Sequence, residues 1–146
     1  MHFYRLNERS YLFEEDSKTQ SIFVAEVPLA IEWEDRVICI AHRKNYVILS
    51  YPSGKMLNKL NIEPGPVPGI CTMKGMTVVL GSNNLGYYVD DNGTVKKNLQ
   101  IDFEQSTIVR LGVQSIYLIA LCEYSVQIYN AATGEFLQER GVLDKT

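Results

Sequence analysis

The side chains best suited to metal binding or nucleophilic chemistry are two histidines and three cysteines, and they are scattered along the chain. A metal site needs ligands that converge on one point, and a nucleophile needs a neighbouring base and an orienting acid. His2 and His42 lie far apart, without a cysteine or carboxylate at ligand spacing, and no Gly-x-Ser-x-Gly motif occurs. The sequence therefore predicts no catalytic residue, no metal site and no cofactor.

The cysteines and the N-terminus indicate a cellular compartment. Cys39, Cys71 and Cys122 form no Cys-x-x-Cys pair, so buried free thiols in a reducing environment are expected. Charges occupy the N-terminal segment where a signal peptide is apolar, and no apolar run approaches the roughly 18–20 residues of a membrane-spanning helix. We expect a cytoplasmic protein that does not insert into a membrane.

Charge and aromatic content favour contact with proteins. The net charge of −3 provides no basic field for nucleic acid. Tyrosine is enriched at protein interfaces because it combines contact area with a polar tip. A proline-rich loop, residues 63–69, is best explained as a rigid linker between blades, with a shaped surface for a partner as the alternative. The candidate contact residues are Arg43, Lys44, Tyr46, Pro66, Tyr88 and Tyr124.

A turn that recurs along the chain indicates the fold in which these candidate residues are placed. Ser53-Gly54, Asn92-Gly93 and Thr133-Gly134 each separate two short apolar runs, and their glycines are 39 and 41 residues apart. Repeats of about 40–45 residues with four short strands are typical of β-propeller blades. Asn92-Gly93-Thr94 also matches a glycosylation motif, but turn chemistry explains it without a glycan.

The second and third repeats can be superposed on the first. An offset of 39 residues places 46–49 on 85–88, and an offset near 41 places 128–129 on 87–88. Helical periodicity is absent over windows of about 11 residues. We predict an all-β fold, a partial β-propeller of about three and a half four-stranded blades. As a single domain over 1–146, its predicted blades are 1–26 (incomplete), 27–64, 65–103 and 104–146.

That number of blades is too small for a closed ring, since propellers typically contain about four to eight. The chain could be part of a larger propeller, which is the favoured interpretation. It could instead close with a second copy through its open edges, or the repeat count could be wrong and the fold a sandwich or open sheet. Unpaired strand edges predict self-association in the first two cases.

Three segments resemble the citron-homology (CNH) domain. They are Val-Pro-Leu-Ala-Ile-Glu-Trp at 27–33, Val-Ile-Cys-Ile-Ala at 37–41 and Arg-Lys-Asn-Tyr-Val-Ile at 43–48. They are similar to the branch of vacuolar and endosomal tethering subunits that includes the TGF-β-receptor-associated protein type. His-Phe-Tyr-Arg-Leu at 2–6 also looks like the strand that precedes this region there.

The resemblance implies a non-catalytic scaffold in a complex that tethers endosomes, lysosomes or vacuoles before fusion. It implies a cytoplasmic protein peripheral to those membranes, and as partners other tethering subunits and a Rab-type small GTPase or receptor tail. One alternative is a regulatory citron-homology module of a Ser/Thr kinase or Rho-family exchange factor that binds small GTPases. A propeller enzyme is an alternative from another class.

Overall fold

The computed structural model describes residues 27–104 and 106–141, together with the strands β1 (Tyr4–Asn7) and β2 (Leu12–Glu15). The strands β1 and β2 pair as an antiparallel hairpin. His2, on which one of the metal-site expectations depended, lies outside the described residues.

Three four-stranded antiparallel sheets follow, and each consists of four strands that are consecutive in the sequence. Blade 1 contains β3 (Ala30–Glu34), β4 (Val37–Ala41), β5 (Tyr46–Ser50) and β6 (Met56–Leu60). Blade 2 contains β7 (Ile70–Met73), β8 (Met76–Leu80), β9 (Leu85–Asp90) and β10 (Val95–Asp102). Blade 3 contains β11 (Ile108–Gln114), β12 (Tyr117–Cys122), β13 (Ser125–Asn130) and β14 (Phe136–Gly141). The prediction of an all-β partial propeller is confirmed, and the domain bounds stay a prediction.

The first strand of each blade lies on the inside of the arc. Strand β7 contacts both β3 and β11, so the three first strands converge while the fourth strands diverge. Strand β4 is buried along its whole length. This agrees with its unbroken apolar sequence, because a strand covered on both faces has no solvent side.

Two apolar cores fill the spaces between neighbouring blades. The core between blades 1 and 2 is built around Cys39, Tyr46, Ile48, Val79 and Val89. The core between blades 2 and 3 includes Val78, Tyr88, Phe103, Leu118 and Tyr129. Alternate residues of the central strands of blade 2 therefore point into opposite cores, as the two-residue period of a strand requires.

The third strands repeat with an offset of 40 residues in both steps, which corrects the superposition made from the sequence. Cys39 pairs with Ile48, Val78 with Tyr88, and Ile119 with Ile128. Ile48 is thus equivalent to Tyr88, whereas the sequence pattern had placed it on Tyr87. Four residues lie between the paired residues Ala41 and Tyr46 of blade 1, whereas five lie between Leu80 and Gly86 of blade 2. The sequence pattern does not show where that additional residue is.

The unequal spacing of the turn glycines has a local cause. The amide of Gly54 donates to the carbonyl of Ser50, and that of Gly134 donates to Asn130, four residues back in each case. The amide of Gly93 donates to Asp90, only three residues back. The turn of blade 2 is therefore one residue shorter. All three glycines have positive φ, which glycine adopts without strain.

Candidate interaction surface

The predicted contact residues lie at one end of the blades and in the spaces between the blades. In each meander the loop between the second and third strands lies at the same end as the segment that leads to the next blade. We call this end the linker face. It is formed by residues 42–45, 61–69, 81–84, 103–104, 106–107 and 123–124.

Arg43 and Lys44 form the tip of the β4–β5 hairpin on the linker face. The amide of His42 donates a 2.8 Å hydrogen bond to the carbonyl of Asn45, which closes the loop beneath them. Both cationic residues are exposed, and neither pairs with a carboxylate within the described part of the chain. They present two unneutralised positive charges to an approaching partner.

The base of this hairpin has unused hydrogen-bonding capacity. His42 and Asn45 are both buried, and the His42 Nε2 and Asn45 Oδ1 atoms have no hydrogen-bond partner in the described structure. A buried polar atom left unpaired costs about 1–3 kcal/mol.

Tyr124 occupies the equivalent hairpin of blade 3. Its side chain is 64% exposed. A hydrogen bond with Glu123 and the negative charge of that carboxylate raise the pKa of the phenol above its ordinary value. Tyr124 therefore stays a neutral hydrogen-bond donor on the linker face.

A groove on the linker face separates blade 2 from blade 3. Its volume is about 270 Å³, and Pro66, Val67, Ser82, Asn84 and Ile108 are among its lining residues. The amide of Ser82 donates to the carbonyl of residue 63 at 2.7 Å, and the Asn84 side-chain amide donates to the carbonyl of residue 104 at 2.8 Å. These bonds hold the walls from both sides, so the groove is preformed.

Tyr46 and Tyr88 have a different environment from the other candidates. Both are fully buried, and their phenols donate to backbone carbonyls of the next blade, Leu80 at 2.6 Å and Ala131 at 2.7 Å. Burial raises the pKa of both phenols, in the case of Tyr88 to about 12. These side chains join the blades and are not presented at the described surface.

The structure therefore brings four of the six candidates to one face. Arg43 and Lys44 lie on blade 1, Pro66 lies on the segment between blades 1 and 2, and Tyr124 lies on blade 3. Their role as contact residues stays a prediction. Sequence reasoning missed Asn84, whose positive φ of 64° and side-chain bond shape the groove. The Ser-Asn-Asn stretch was the available signal, since asparagine tolerates this conformation.

The three thiols do not form a reactive or metal-binding site. Cys39, Cys71 and Cys122 are free and buried, as predicted. Burial and, to a smaller extent, the nearby negative charge of Glu32 raise the pKa of Cys71 to about 11. The same two causes raise the pKa of Cys39 still further. Among the described residues, no cluster of His, Cys, Asp and Glu could hold a metal ion. Nor does any helix there have the length and hydropathy to cross a membrane.

Comparison with known proteins shows which family the chain belongs to. Residues 2–142 match the CNH domain family. The chain belongs to that family. Over 105 residues this CNH domain is 26% identical to vacuolar sorting protein 39 of Arabidopsis thaliana, a match that covers 72% of the chain and 10% of that protein. The chain thus spans about a tenth of its curated relative.

Solved structures share the fold of this CNH domain. Hsv2 of Kluyvelomyces marxianus superposes with a TM-score of 0.69 at 12% identity, over 90% of this chain and 43% of that one. The AfRom2 CNH domain superposes with a TM-score of 0.57 at 13% identity, over 88% of this chain and 44% of that one. Propellers of these kinds typically serve as non-catalytic interaction modules, and the CNH domain described here has the same architecture.

Proposed function

We propose that this CNH domain is a non-catalytic scaffold in the tethering of endosomes, lysosomes or vacuoles before fusion. The observation that carries the proposal is its membership of the CNH family together with its similarity to a vacuolar sorting protein. The domain acts from the cytoplasm, peripheral to those membranes. Its partners are other subunits of the tethering complex and a Rab-type small GTPase or a receptor tail.

The linker face is the surface through which this scaffold binds. It presents the unpaired charges of Arg43 and Lys44, the exposed phenol of Tyr124 and the preformed groove beside Pro66. Tyrosine and arginine are the residue types that most often dominate binding energy at protein interfaces. The exposed cations select an acidic partner surface, and the groove accepts an apolar side chain.

An affinity pull-down tests both the function and the surface. The tagged chain is incubated with cytosol, and bound proteins are quantified by mass spectrometry for wild type and for the double variant Arg43→Glu/Lys44→Glu. Lys96→Glu/Lys97→Glu is the matched control, because this second pair of basic residues lies on strand β10, outside the linker face. We expect tethering subunits or a Rab-type GTPase to bind wild type and the control, and to be lost with the hairpin variant.

Other bound proteins would contradict the proposal. Recovery of Rho-family GTPases or components of a kinase pathway would favour the alternative function, a regulatory module of a kinase or exchange factor. Recovery of chaperones alone would show that these blades do not suffice for binding. Equal loss with both double variants would reject the linker face as the binding surface, because total charge would then be the cause.

A further inference from the structure

A groove separates the turns of blades 2 and 3 at the end of the blades opposite the linker face. Its volume is about 370 Å³. The β7–β8 turn, from Met73 to Met76, forms one wall, and the other contains Ile116 of the β11–β12 turn and Ala131, which follows β13. We call it the turn groove. Both walls belong to neighbouring described blades, so the groove does not depend on the outer side of blade 3.

Two hydrogen bonds fix the wall formed by blade 3 and join it to blade 2. The phenol of Tyr88 in blade 2 donates to the carbonyl of Ala131 at 2.7 Å. The amide of Ala131 in turn donates to the carbonyl of Ile116 at 2.8 Å. Tyr88 is fully buried, so its bond is shielded from water. The turn groove is therefore preformed, and a ligand does not have to order it on binding.

Ile116 is an unusual residue for its position in the blade. Its carbonyl accepts a bond from Ala131, as the carbonyl of Arg36 in the equivalent turn of blade 1 accepts one from Tyr51. Turns favour glycine and small polar residues, yet Ile116 is apolar and 60% exposed. The arginine in blade 1 shows that the turn itself does not need an apolar side chain. Ile116 therefore presents apolar surface at the groove without a role in closing the turn.

The opposite wall is also apolar, and its side chains can adapt. Met73 and Met76 are half-buried at the end of β7 and the start of β8. Methionine is flexible and adjusts to apolar partners of different shape. A Cβ on Gly75, in the turn between them, would meet no atom within 4 Å. An apolar side chain of a ligand therefore has room to enter between the methionines and Ile116.

Lys74 gives the turn groove a positive charge. No other residue among its described lining residues is charged. Lys74 is exposed and forms no ion pair within the described part of the chain. A carboxylate beside this ammonium is attracted to it, whereas a second cation is repelled. The groove is thus opposite in sign to the net charge of −3 of the whole chain.

We propose that the turn groove binds an extended segment of a partner protein in which an apolar side chain lies next to one or two carboxylates. The apolar side chain enters between Met76 and Ile116, and a carboxylate pairs with the Lys74 ammonium. Apolar burial provides affinity, and the single positive charge selects acidic over basic segments. The turn groove lies at the other end of the blades from the linker face, so its binding does not depend on the function proposed above.

Selection from a random library of seven-residue peptides displayed on phage tests the proposal, with the full chain as bait. We expect the recovered peptides to combine an apolar residue with aspartate or glutamate within two positions. A synthetic fluorescent peptide of that sequence, and a copy with lysines in place of the acidic residues, are then compared by fluorescence polarisation. The acidic peptide should bind at least about tenfold more tightly. Recovery of no peptide, or of peptides without this pairing, would overturn the proposal.

Two substitutions test whether the peptide occupies the turn groove. Lys74→Glu should weaken the acidic peptide by roughly tenfold and make its lysine copy the better ligand, whereas Lys97→Glu on β10 is the matched control. Ile116→Ser should weaken both peptides by roughly tenfold, with Met56→Ser as control because Met56 is 54% exposed on β6. All four residues are exposed, so each variant should keep the circular dichroism spectrum of wild type. An unchanged preference in Lys74→Glu, or an equal loss with the controls, would overturn the proposal.

Discussion

The side-chain amide of Asn58 donates a 2.7 Å hydrogen bond to the carbonyl of Gly93, which joins the outer strand of blade 1 to the hairpin turn of blade 2. The next turn makes a similar approach, because a Cβ on Gly134 would lie 3.0 Å from Ile101 of blade 2. The recurring glycine turn is thus both a hairpin closure and a contact between blades. This explains how one short motif can mark both the repeat and its packing.

Replacement of Asn58 by alanine should lower the free energy of unfolding by about 1 kcal/mol, since the bond to Gly93 is partly buried and lost. Urea denaturation followed by circular dichroism measures the change. Asn98→Ala, on the exposed surface of β10, is the control and should stay within about 0.5 kcal/mol of wild type. Equal destabilisation by the two substitutions would show that the cross-blade bond contributes nothing specific.

Gly134→Ala should destabilise the fold more than Gly75→Ala. Both glycines have positive φ, which costs an alanine roughly 1–2 kcal/mol. Only at Gly134 does the new methyl group also meet Ile101 and the carbonyl of Gln100, at 3.0 and 3.3 Å, whereas nothing lies within 4 Å at Gly75. Thermal melting of the two variants separates backbone strain from packing, and equal melting temperatures would contradict the packing contribution.

Alkaline pH should destabilise the protein through its buried phenols. Burial raises the pKa of Tyr88 to about 12, from an ordinary value of 10.0. A pKa that is higher in the folded state gives stability that is complete below about pH 10 and is lost as pH rises towards about 12. Urea denaturation at pH 8, 10 and 11 should therefore show a falling free energy of unfolding.

Tyr88→Phe should make that pH dependence shallower, because phenylalanine carries no titrating proton. The slope is the informative quantity, since the variant also loses the bond to the Ala131 carbonyl and should be less stable at every pH. Tyr117→Phe is the control, because the side chain of Tyr117 is 43% exposed and the substitution should leave the slope nearly unchanged. An identical slope for all three proteins would contradict a role for buried Tyr88.

The three buried thiols should be inert in the folded protein. Burial raises the pKa of Cys71 to about 11, so little thiolate is present near neutral pH. An aromatic disulfide reagent should therefore react slowly with native protein and with all three cysteines after denaturation in urea. Fast reaction of one thiol in native buffer would show that its blade opens readily.

The strands and their number could be predicted from the sequence because the physical signals are local. Unbroken apolar runs such as 37–41 and glycine turns such as the one at Gly93 follow from burial and backbone conformation. The sequence did not show which residues of the three third strands, β5, β9 and β13, are equivalent to one another. A one-residue difference in loop length moves every following side chain to the opposite face of its strand.

Which of the candidate contact residues are exposed was harder to predict from the sequence than the strands were. Tyr46 and Tyr88 are chemically the same as Tyr124, yet the first two are fully buried and the third is exposed. Which tyrosines reach solvent depends on the neighbouring blade, and that contact is not encoded in the spacing of a single repeat. The exposed Arg43 and Lys44 were predictable, because a two-residue hairpin tip has no room to bury long charged side chains.

Each of the three described blades is made of four consecutive strands, and none of the described strands is exchanged between blades. Each blade is therefore stabilised by contacts with its neighbouring blades. In such a linear array, cooperativity passes from one unit to the next and is weakest at a terminus. Blade 2 has a partner on both sides, whereas the side of blade 3 that faces away from blade 2, which carries Ile119 and Ile128, is only partly buried within the described structure. Backbone amides should consequently exchange with deuterium most slowly in β8 and β9 and earlier in β12 and β13, a gradient of protection along the chain.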